Sequence, residues 1–420
     1  MSKESLRWAP PMSGMGQRET GAGRSVRIVR HARLTLASLI AVALFAACGG
    51  HAAADAPEEE PVVRGITTPD DVTGIDDGEV PGALAIAPTS VPVLTYEGSG
   101  QLVHPDVAFF PRGFWGMRYW YTATPYPGGD ANFENPSIYD GASAGEMRMP
   151  DGLVNPLAKP APNSYLSDPD IVYDPQRREL RMYYRQTTPD GDQIFLVKSA
   201  DGTNWGKSQL AMGGVRYSLI SPAIIRADDG AWRMWTVNAT AAGCRSAASL
   251  LTLQQRRSND GISWSAPEAV ALTIAGRVPW HWDVQYVRAK GEYWAMVAAY
   301  PDGGNCSQTS LYFARSVDGT TWSVAPSPLL RAGDFSPIRD LVYRSTFRYH
   351  EGSDAVSVWF SGARLEGADF HYSIAVARYP MEELLRRVNS APGGTLEMGA
   401  GQRASKELRA ARAAFVAAFP

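Results

Sequence analysis

Short strands rich in apolar and aromatic residues recur five times between residues 90 and 380. Each repeat opens with an extended segment, and the five openings are His104-Pro-Asp106-Val, Asp168-Pro-Asp170-Ile, Ser221-Pro-Ala223-Ile, His281-Trp-Asp283-Val and Arg344-Ser-Thr346-Phe. An aromatic-rich second strand follows each of them, in the order Tyr119-Trp-Tyr-Thr, Met182-Tyr-Tyr-Arg, Met234-Trp-Thr-Val, Tyr293-Trp-Ala-Met and Val358-Trp-Phe-Ser. Short apolar runs bounded by turn residues are typical of strands. Five openings and five second strands therefore predict five sheets.

A turn motif, Ser-x-Asp-Gly-x-x-Trp, closes three of these repeats. It occurs at Ser199–Trp205, Ser258–Trp264 and Ser316–Trp322, so the first serines lie 59 and then 58 residues apart. Asp-Gly favours a tight hairpin corner that needs a positive φ. Such a turn, repeated every 40–60 residues among short strands, predicts an all-β propeller of five four-stranded blades.

The start of the strand region is expected to close the ring. The fifth blade ends after its third strand, at Tyr379, and so lacks an outer strand. Residues 91–98, Val-Pro-Val-Leu-Thr-Tyr-Glu-Gly, resemble the fourth strands of other blades and are predicted to supply it. Closure of this kind would leave no open sheet edge.

The residues before the propeller predict export. Within residues 1–47, an uncharged apolar run from Leu34 to Ala47 follows Arg24, Arg27, Arg30 and Arg33, and small residues precede Cys48. This order is typical of a secretory signal. It resembles the lipobox of bacterial lipoproteins, in which Cys48 would be acylated and anchor the domain to a membrane surface; the alternative is a plain secretory cut near residues 52–54. We expect a flexible tether at 48–88, the propeller at 89–380 and a helical tail at 381–420.

The charge and the cysteine content indicate which partners the protein does not bind and which redox compartment it occupies. The net charge is −3 without a basic cluster, which argues against nucleic acid as a partner. With Cys48 assigned to the anchor, Cys244 and Cys306 remain in equivalent loops of neighbouring blades. An exported chain tolerates disulfides, so these two are predicted to pair, with two buried free thiols as the alternative.

The blade openings and the Asp-Gly turns resemble those of five-bladed glycoside hydrolases of the arabinanase, β-xylosidase and levansucrase kind. The resemblance implies a central funnel in which carboxylates act as acid, as base or nucleophile, and as pKa modulator. This chain departs from the usual pattern at His104, Ser221 and His281, where that family has other residues in blades 1, 3 and 4. Individual catalytic roles and the stereochemical outcome are therefore not transferred.

Two inner rings collect the ionisable residues of the openings. The first ring is expected to contain His104, Asp168, Ser221, His281 and Arg344, and the second Asp106, Asp170, Ala223, Asp283 and Thr346. Residues two apart on a strand share a face. Asp168, Asp283 and Glu134 are predicted to do the acid and base work, with Asp106 and Asp170 as modulators. The alternatives are that the second-ring aspartates cap backbone amides and that Glu134 is a solvated loop charge.

Substrate contacts are expected from the same funnel. The candidates that bind sugar hydroxyls or stack on a sugar ring are His104, Tyr126, Asn135, Arg185, His281, Trp282 and Arg344, with Trp115, Tyr165 and Trp280 as further aromatic candidates. Core packing is the alternative for each aromatic residue. No cofactor is expected, because the sequence contains no HExxH cluster, GxSxG elbow or P-loop. A structural cation held by His104 or His281 stays open.

Two functional hypotheses follow. The first is a surface-anchored, monomeric glycoside hydrolase that acts on a polysaccharide or oligosaccharide. The second is a non-catalytic propeller that binds a glycan or a protein at the same funnel. Four ionisable carboxylates in one channel favour the enzyme, because buried charges are costly without a use or a partner.

Overall fold

The computed structural model describes residues 85–367 and 369–390, together with Ala410. The predicted signal at 1–47, the acylation at Cys48, nearly all of the tether and most of the tail lie outside the described residues. Within the described part of the chain, no helix is both long enough and apolar enough to cross a membrane.

Nineteen strands, one α-helix and eight short 3-10 helices make up the regular structure of the described chain. Blade 1 contains β2 (Leu102–Phe114), β3 (Met117–Pro125) and β4 (Ser137–Gly141), and blade 2 contains β5 (Tyr165–Asp174), β6 (Glu179–Thr188), β7 (Gly191–Ser199) and β8 (Gln209–Gly214). Blade 3 contains β9 (Ile220–Arg226), β10 (Trp232–Asn238), β11 (Thr252–Ser258) and β12 (Glu268–Val270), and blade 4 contains β13 (Arg277–Val287), β14 (Glu292–Pro301), β15 (Ser310–Ser316) and β16 (Ser323–Val324). Blade 5 contains β17 (Leu341–His350), β18 (Ala355–Glu366), β19 (Asp369–Pro380) and β1 (Ile86–Val91), and helix α1 (Met381–Asn389) follows it.

These sheets confirm the predicted five-bladed propeller. The first strand of each blade contacts the first strand of the next, and β17 contacts β2, so the five inner strands form a closed ring around a central channel. Four blades have four antiparallel strands, while the outer position of blade 1 is reduced to a bridge between Asp140 and Arg148.

The N-terminal strand closes the ring, but it lies earlier in the chain than predicted. Strand β1 pairs with β19 along Ile86–Val91, and Val91 lies opposite Ile374. Residues 92–98 leave the sheet. Pro92 follows directly and has no N–H to donate, which explains why the ladder stops at Val91.

Each Asp-Gly turn is folded by its own side chains. In blade 2, the amide of Gly202 donates to Ser199 Oγ at 2.8 Å, while Asp201 Oδ1 accepts from the two amides that follow Gly202 at 2.9 and 2.7 Å. Gly202 has a φ of +82° and lies against Trp120 of blade 1, where a Cβ would come within 2.1 Å of the ring. Only glycine satisfies both the backbone and the contact.

The equivalent turns link the following blades. Tyr183 of blade 2 donates its hydroxyl to the carbonyl of Gly261 in blade 3 at 2.9 Å. Trp235 of blade 3 donates its indole N–H to the carbonyl of Gly319 in blade 4 at 2.8 Å. The repeated motif therefore holds each of these blades against the second strand of the preceding one.

A disulfide joins Cys244 and Cys306, as predicted, with their Cα atoms 5.2 Å apart and a sequence separation of 62 positions. It connects the loops that follow the second strands of blades 3 and 4. Both cysteines are buried in the largest apolar cluster of the described chain, beside Tyr217 and Tyr300.

We expect reduction of this bond to lower the free energy of unfolding by about 4 kcal/mol, because the disulfide restricts the conformational entropy of the unfolded chain and its reduction restores that entropy. Denaturant unfolding with and without reductant measures the difference. Alkylation of the unreduced, unfolded protein should leave Cys244 and Cys306 unlabelled, and a Cys244→Ser/Cys306→Ser variant should be insensitive to reductant. Labelling of both cysteines would contradict the prediction.

His350 is a buried base at the end of β17, with Nε2 3.0 Å from Ser357 Oγ. Burial, with the nearby arginines Arg378, Arg348 and Arg118, lowers the pKa of His350 to about 3. Since the unfolded chain takes up this proton near pH 6.5, stability present above that pH is lost as the pH falls toward 3.

We therefore expect His350→Gln to reduce the loss of unfolding free energy between pH 7 and pH 5 by about 2 kcal/mol. Chemical denaturation at the two pH values measures it. His371→Gln, which removes a partly exposed histidine, is the matched control. Equal pH dependence in the wild type and the His350 variant would rule out this assignment.

Candidate functional site

Asp168 lies at the centre of the first ring. Its Oδ1 is 3.5 Å from His104 Nε2, 3.5 Å from His281 Nδ1 and 3.5 Å from Arg344 Nη1. Its Oδ2 is 3.0 Å from Arg185 Nε. All five side chains are buried. The ring contacts that the strand alternation predicted are thus present, with Arg185 added from the second strand of blade 2.

A β-bulge at the same level of the inner strands aims these side chains into the channel. The pairing register shifts between Val103 and Asp106, between Ser167 and Asp170 and between Pro279 and His281, with corresponding shifts in blades 3 and 5. In blades 1–3 the ring residue itself has a left-handed backbone: φ is +54° at His104, +51° at Asp168 and +50° at Ser221. Non-glycine residues rarely adopt this conformation, and it is concentrated at functional sites.

Nε2 of His104 faces Asp168, and the hydrogen bonds of the other ring nitrogen, Nδ1, decide whether Nε2 carries a hydrogen. We assign the tautomer from Thr124: its hydroxyl lies 3.5 Å from the carbonyl of Val103, and if it donates there, its oxygen accepts from His104 Nδ1 at 3.1 Å. Nε2 then carries no hydrogen. Burial, together with the charges of Arg344 and Arg185, lowers the pKa of His104 to about 3, so the ring is neutral. A bare nitrogen and a carboxylate oxygen therefore face each other at 3.5 Å.

Such a contact is unfavourable unless a cation lies between the two atoms. Neither ring nitrogen of His281, nor Nε2 of His104, has a hydrogen-bond partner among the described residues. The donor atoms of His104, Asp168 and His281 lie within 4.8 Å of one another. Ligand atoms about 2.0–2.1 Å from a tetrahedral zinc ion are about 3.4 Å apart, close to the two contacts at 3.5 Å. These three residues fit a divalent metal such as zinc.

Glu134 completes this group from the rim loop of blade 1. It is fully buried, its Oε1 is 3.5 Å from His104 Nδ1, and neither carboxylate oxygen has a hydrogen-bond partner in the described part of the chain. Burial and the charge of Asp168 raise the pKa of Glu134 well above its usual range. Its predicted alternative, a solvated loop charge, does not agree with this position.

Asp168 has the opposite protonation state. Burial by itself opposes its ionisation, but nearby positive charge, foremost that of Arg185, outweighs burial and holds the pKa of Asp168 well below its usual range. Because both histidines are neutral, we ascribe the effect chiefly to Arg185 and Arg344. The amide of Ser221 also donates to Oδ2 at 3.2 Å. Asp168 is thus an ionised, fixed ligand, while Glu134 is poised to hold a proton.

The second ring links neighbouring blades. Asp106 accepts from the amide of Ile171 at 2.6 Å, and Asp170 accepts from the amide of Ile224 at 3.2 Å. Thr346 Oγ1 lies 2.9 Å from Asp106 Oδ1 and 3.0 Å from Asp283 Oδ2. These bonds agree with the alternative in which the aspartates cap backbone amides.

Protons are retained in this second ring. A hydroxyl has one hydrogen, so both contacts of Thr346 are favourable only if one of the two carboxyls is protonated and donates to it. In agreement with this, burial and the charge of Asp106 raise the pKa of Asp283 to about 7. Burial raises the pKa values of Asp106 and Asp170 as well.

The structure divides the predicted catalytic set between the two ends of the channel. Asp168 and Glu134 lie together at the first ring. Asp106, Asp170 and Asp283 instead line a cavity of about 490 Å³ at the opposite end, whose walls include Phe109 and Tyr286. The catalytic assignment of these three aspartates stays a prediction, and the contacts described above give them a structural role.

Most of the predicted binding residues lie at the first ring or in the loop that carries Glu134. His104, Arg185, His281 and Arg344 surround Asp168. Tyr126 is buried, packs edge-on against Tyr372 at 4.9 Å, and lies in the loop that carries Glu134 and Asn135.

Other aromatic candidates lie elsewhere. Trp282 points away from the channel into the core and packs at 6.0 Å from Trp322, as strand alternation requires for a neighbour of His281 and Asp283. Trp280 is buried beside His281 at 5.6 Å, and Tyr165 lies 5.9 Å from the guanidinium of Arg185. Trp115 is 70 % exposed at the hairpin between β2 and β3.

Sequence reasoning missed three residues that shape the first ring. Thr124 orients His104, Tyr343 packs at 4.7 Å from His281, and Asp192 lies 3.6 Å from Arg185 Nη1. Only Thr124 leaves a signal, since it shares a face with Thr122 in an otherwise aromatic strand. The other two are brought in by neighbouring strands and blades.

Comparison with known proteins relates the chain to proteins that act on carbohydrates. No family model matches it. It is 27 % identical over 351 residues to the A type blood N-acetyl-α-D-galactosamine deacetylase of Flavonifractor plautii, with 71 % of this chain covered. The chain spans 45 % of the length of that relative.

Solved structures show the same relation. The crystal structure of an N-acetylgalactosamine deacetylase from F. plautii, in complex with blood group B trisaccharide, superposes with a TM-score of 0.67 at 25 % identity and covers 74 % of this chain and 99 % of its own. A thermostable family-43 glycoside hydrolase superposes with a TM-score of 0.50 at 13 % identity, covering 66 % and 89 %, which shows the fold alone. The propeller is thus similar to carbohydrate-active enzymes, and the expected resemblance to glycoside hydrolases holds for its fold.

Proposed function

We propose that this propeller hydrolyses the acetamido group of an N-acetylated hexosamine on a glycan, releasing acetate and a free amine. The observation that carries the proposal is the group formed by His104, Asp168 and His281, whose donor atoms face one another with no proton available between His104 and Asp168. The similarity to N-acetylgalactosamine deacetylases supports the choice of bond.

His104, Asp168 and His281 would hold the metal. A metal bound by three protein ligands supplies a Lewis acid that polarises a carbonyl and acidifies bound water. Thr124 fixes the tautomer of His104 in which Nε2 is free to bind. Arg185 holds the Asp168 carboxylate ionised and in place through its contact with Oδ2.

Glu134 is the residue that moves protons. In amide hydrolysis, the attacking water loses a proton as its oxygen bonds to the carbonyl carbon, and the nitrogen gains one as the C–N bond breaks. A carboxylate that is ionised when the water attacks can accept the first proton, and a raised pKa lets it keep that proton until it donates it to the nitrogen. Glu134 suits this role because its two oxygens have no partner among the described side chains and its pKa is raised by burial.

Glycoside hydrolysis is the second candidate. The pKa values of Glu134 and Asp168 are displaced in opposite directions, which is the pattern of an acid paired with a nucleophile or base. Against it, Oδ2 of Asp168 is engaged by Arg185 and Ser221, and Oδ1 faces two histidine nitrogens that have no hydrogen-bond partner among the described residues, which is an arrangement of metal ligands and not of a nucleophile facing a sugar carbon. We therefore rank deacetylation first.

Export also belongs to this proposal. The Cys244–Cys306 bond is of the kind that persists in oxidising compartments. It supports the prediction that the domain acts outside the cytoplasm, while the tether through Cys48 stays a prediction from the sequence.

The first test measures which bond is cut. Purified protein, with Zn²⁺ added, is incubated with glycans that end in N-acetylgalactosamine or N-acetylglucosamine, and with polysaccharides that lack acetamido groups. We expect release of acetate without release of reducing sugar. Asp168→Asn and Glu134→Gln should each lower kcat at least 100-fold, in line with losses of single catalytic groups. Release of reducing ends that both variants abolish would favour the glycosidase instead.

Asp283→Asn distinguishes the two carboxylate groups. If the second ring is structural, this variant should keep kcat within about threefold of the wild type. A loss as large as that of Asp168→Asn would restore the sequence-based assignment of Asp283 as a catalytic residue.

The second test concerns the metal itself. Isothermal titration of the chelator-treated protein with Zn²⁺ should show one tight site, and His281→Gln should weaken it at least 100-fold because one of three protein ligands is lost. Thr124→Val should weaken it by a smaller factor, about 10-fold, through the tautomer of His104. His350→Gln, distant from the first ring along β17, should bind like the wild type. Equal affinity in the wild type and the His281 variant would contradict the site.

A further inference from the structure

A compact turn follows the strand that closes the ring. Residues 95–101, which we call the closing segment, are folded by their own side chains: Thr95 Oγ1 donates to Glu97 Oε1 at 2.8 Å and accepts from the amide of Gly100 at 2.9 Å. The amide of Gln101 donates to Ser99 Oγ at 3.1 Å. The segment therefore keeps a defined shape after β1 leaves the sheet.

The closing segment contacts both ends of the loop that carries Glu134, residues 126–136. At the first end, the carbonyl of Gln101 accepts from the amide of Tyr126 at 3.0 Å, and its Oε1 accepts from the amide of Gly128 at 3.2 Å. The same Oε1 accepts from the amide of Tyr372 at 2.9 Å, so the contact extends to blade 5.

At the second end, Tyr96 contacts the residues on either side of Glu134. Its hydroxyl accepts from Asn135 Nδ2 at 2.8 Å and lies 3.5 Å from the carbonyl of Phe133. Between these two residues, Glu134 has no hydrogen bond from its carboxylate to any described residue. The position of the carboxylate therefore depends on the loop backbone, and that backbone is held by Tyr96 and Gln101.

We propose that Tyr96 and Gln101 are positioning residues for Glu134, so that the segment which closes the propeller also sets the geometry of its reacting group. This inference rests on the proposed function, because it assigns the proton transfer to Glu134. It adds that the reaction depends on residues with no contact to substrate or to His104, Asp168 and His281. A displacement of about 1 Å in a reacting group lowers a rate by up to about 100-fold.

The test uses Tyr96→Phe, which removes the hydroxyl and leaves the ring. We expect kcat for acetate release to fall about tenfold while KM changes less than twofold, since the bound substrate is still held. In a Glu134→Gln background, Tyr96→Phe should cause no further loss, because both changes act on one group. Gln101→Ala should behave like Tyr96→Phe, and Gln101→Glu, which keeps an acceptor oxygen, should restore most of the rate.

The matched control is Tyr184→Phe, which removes a hydroxyl that donates to Ser208 Oγ at 2.7 Å in blade 2, away from the first ring. Both tyrosine variants should lower Tm by similar amounts, and only Tyr96→Phe should lower kcat. Additive losses in the double variant, or unchanged kcat in Tyr96→Phe, would overturn the inference.

Hydrogen exchange separates this inference from the proposed function. Tyr96→Phe should speed amide exchange in residues 126–136 while Tyr184→Phe leaves that loop unchanged. If the wild type releases no acetate, the proposed function fails, and faster exchange confined to this loop still supports the positioning contact. Unchanged exchange in the loop would refute the contact whatever the activity.

Discussion

The buried carboxylate of Asp168 is the interaction on which the functional end of the channel depends. Four nitrogen-bearing side chains from four blades converge on its two oxygens. Burial alone would neutralise such a group, and Arg185 and Arg344 keep it ionised. Removing the charge would take the carboxylate partner from the buried guanidinium of Arg344 and leave that of Arg185 with Asp192 alone, which is costlier than the loss of any single hydrogen bond. The arrangement of the first ring and the chemistry proposed for it therefore both depend on the ionised carboxylate of Asp168.

The two rings show how one strand pattern produces two different environments. Ring residues two apart face the same channel, yet the first ring contains neutral histidines around an ionised aspartate and the second contains aspartates that share protons. At the bulge, the first-ring residues of blades 1–3 have a left-handed backbone, and the ring side chains converge on the Asp168 carboxylate, whereas Asp106 and Asp170 of the second ring accept from backbone amides of the next blade. The first ring, with its left-handed backbone, is the candidate reaction site. The second ring, in regular strand conformation, is the structural core of the channel.

Closure of the propeller and construction of the site are also connected. Strand β1 pairs with the edge strand β19, and the residues that follow β1 contact the loop that carries Glu134. Closure could have been achieved by any outer strand, but the residues beyond Val91 contact both sides of Glu134. The same stretch of chain thereby contributes to the sheet and to the rim of the channel.

The sequence by itself determined the five blades, the disulfide and the members of both rings. Turn chemistry is local: Ser199, Asp201 and Gly202 fold the same corner wherever the pattern occurs, and alternation assigns His104 and Asp106 to one face. The end of the closing strand was misplaced because residues 91–98 carry an outer-strand composition, while Pro92 and the pairing with β19 decide where the ladder stops.

Only the tertiary structure decided which carboxylates belong together. Alternation predicted the members of each ring, but it cannot reveal a bulge, so it could not show that Asp168 with His104 and His281 forms a separate group from Asp283 with Thr346 and Asp106. Thr124 and Tyr96 owe their roles to partners on other segments of the chain, 20 and 39 residues away in sequence. Protonation states follow in turn from burial and from charges on other blades, which no local pattern contains.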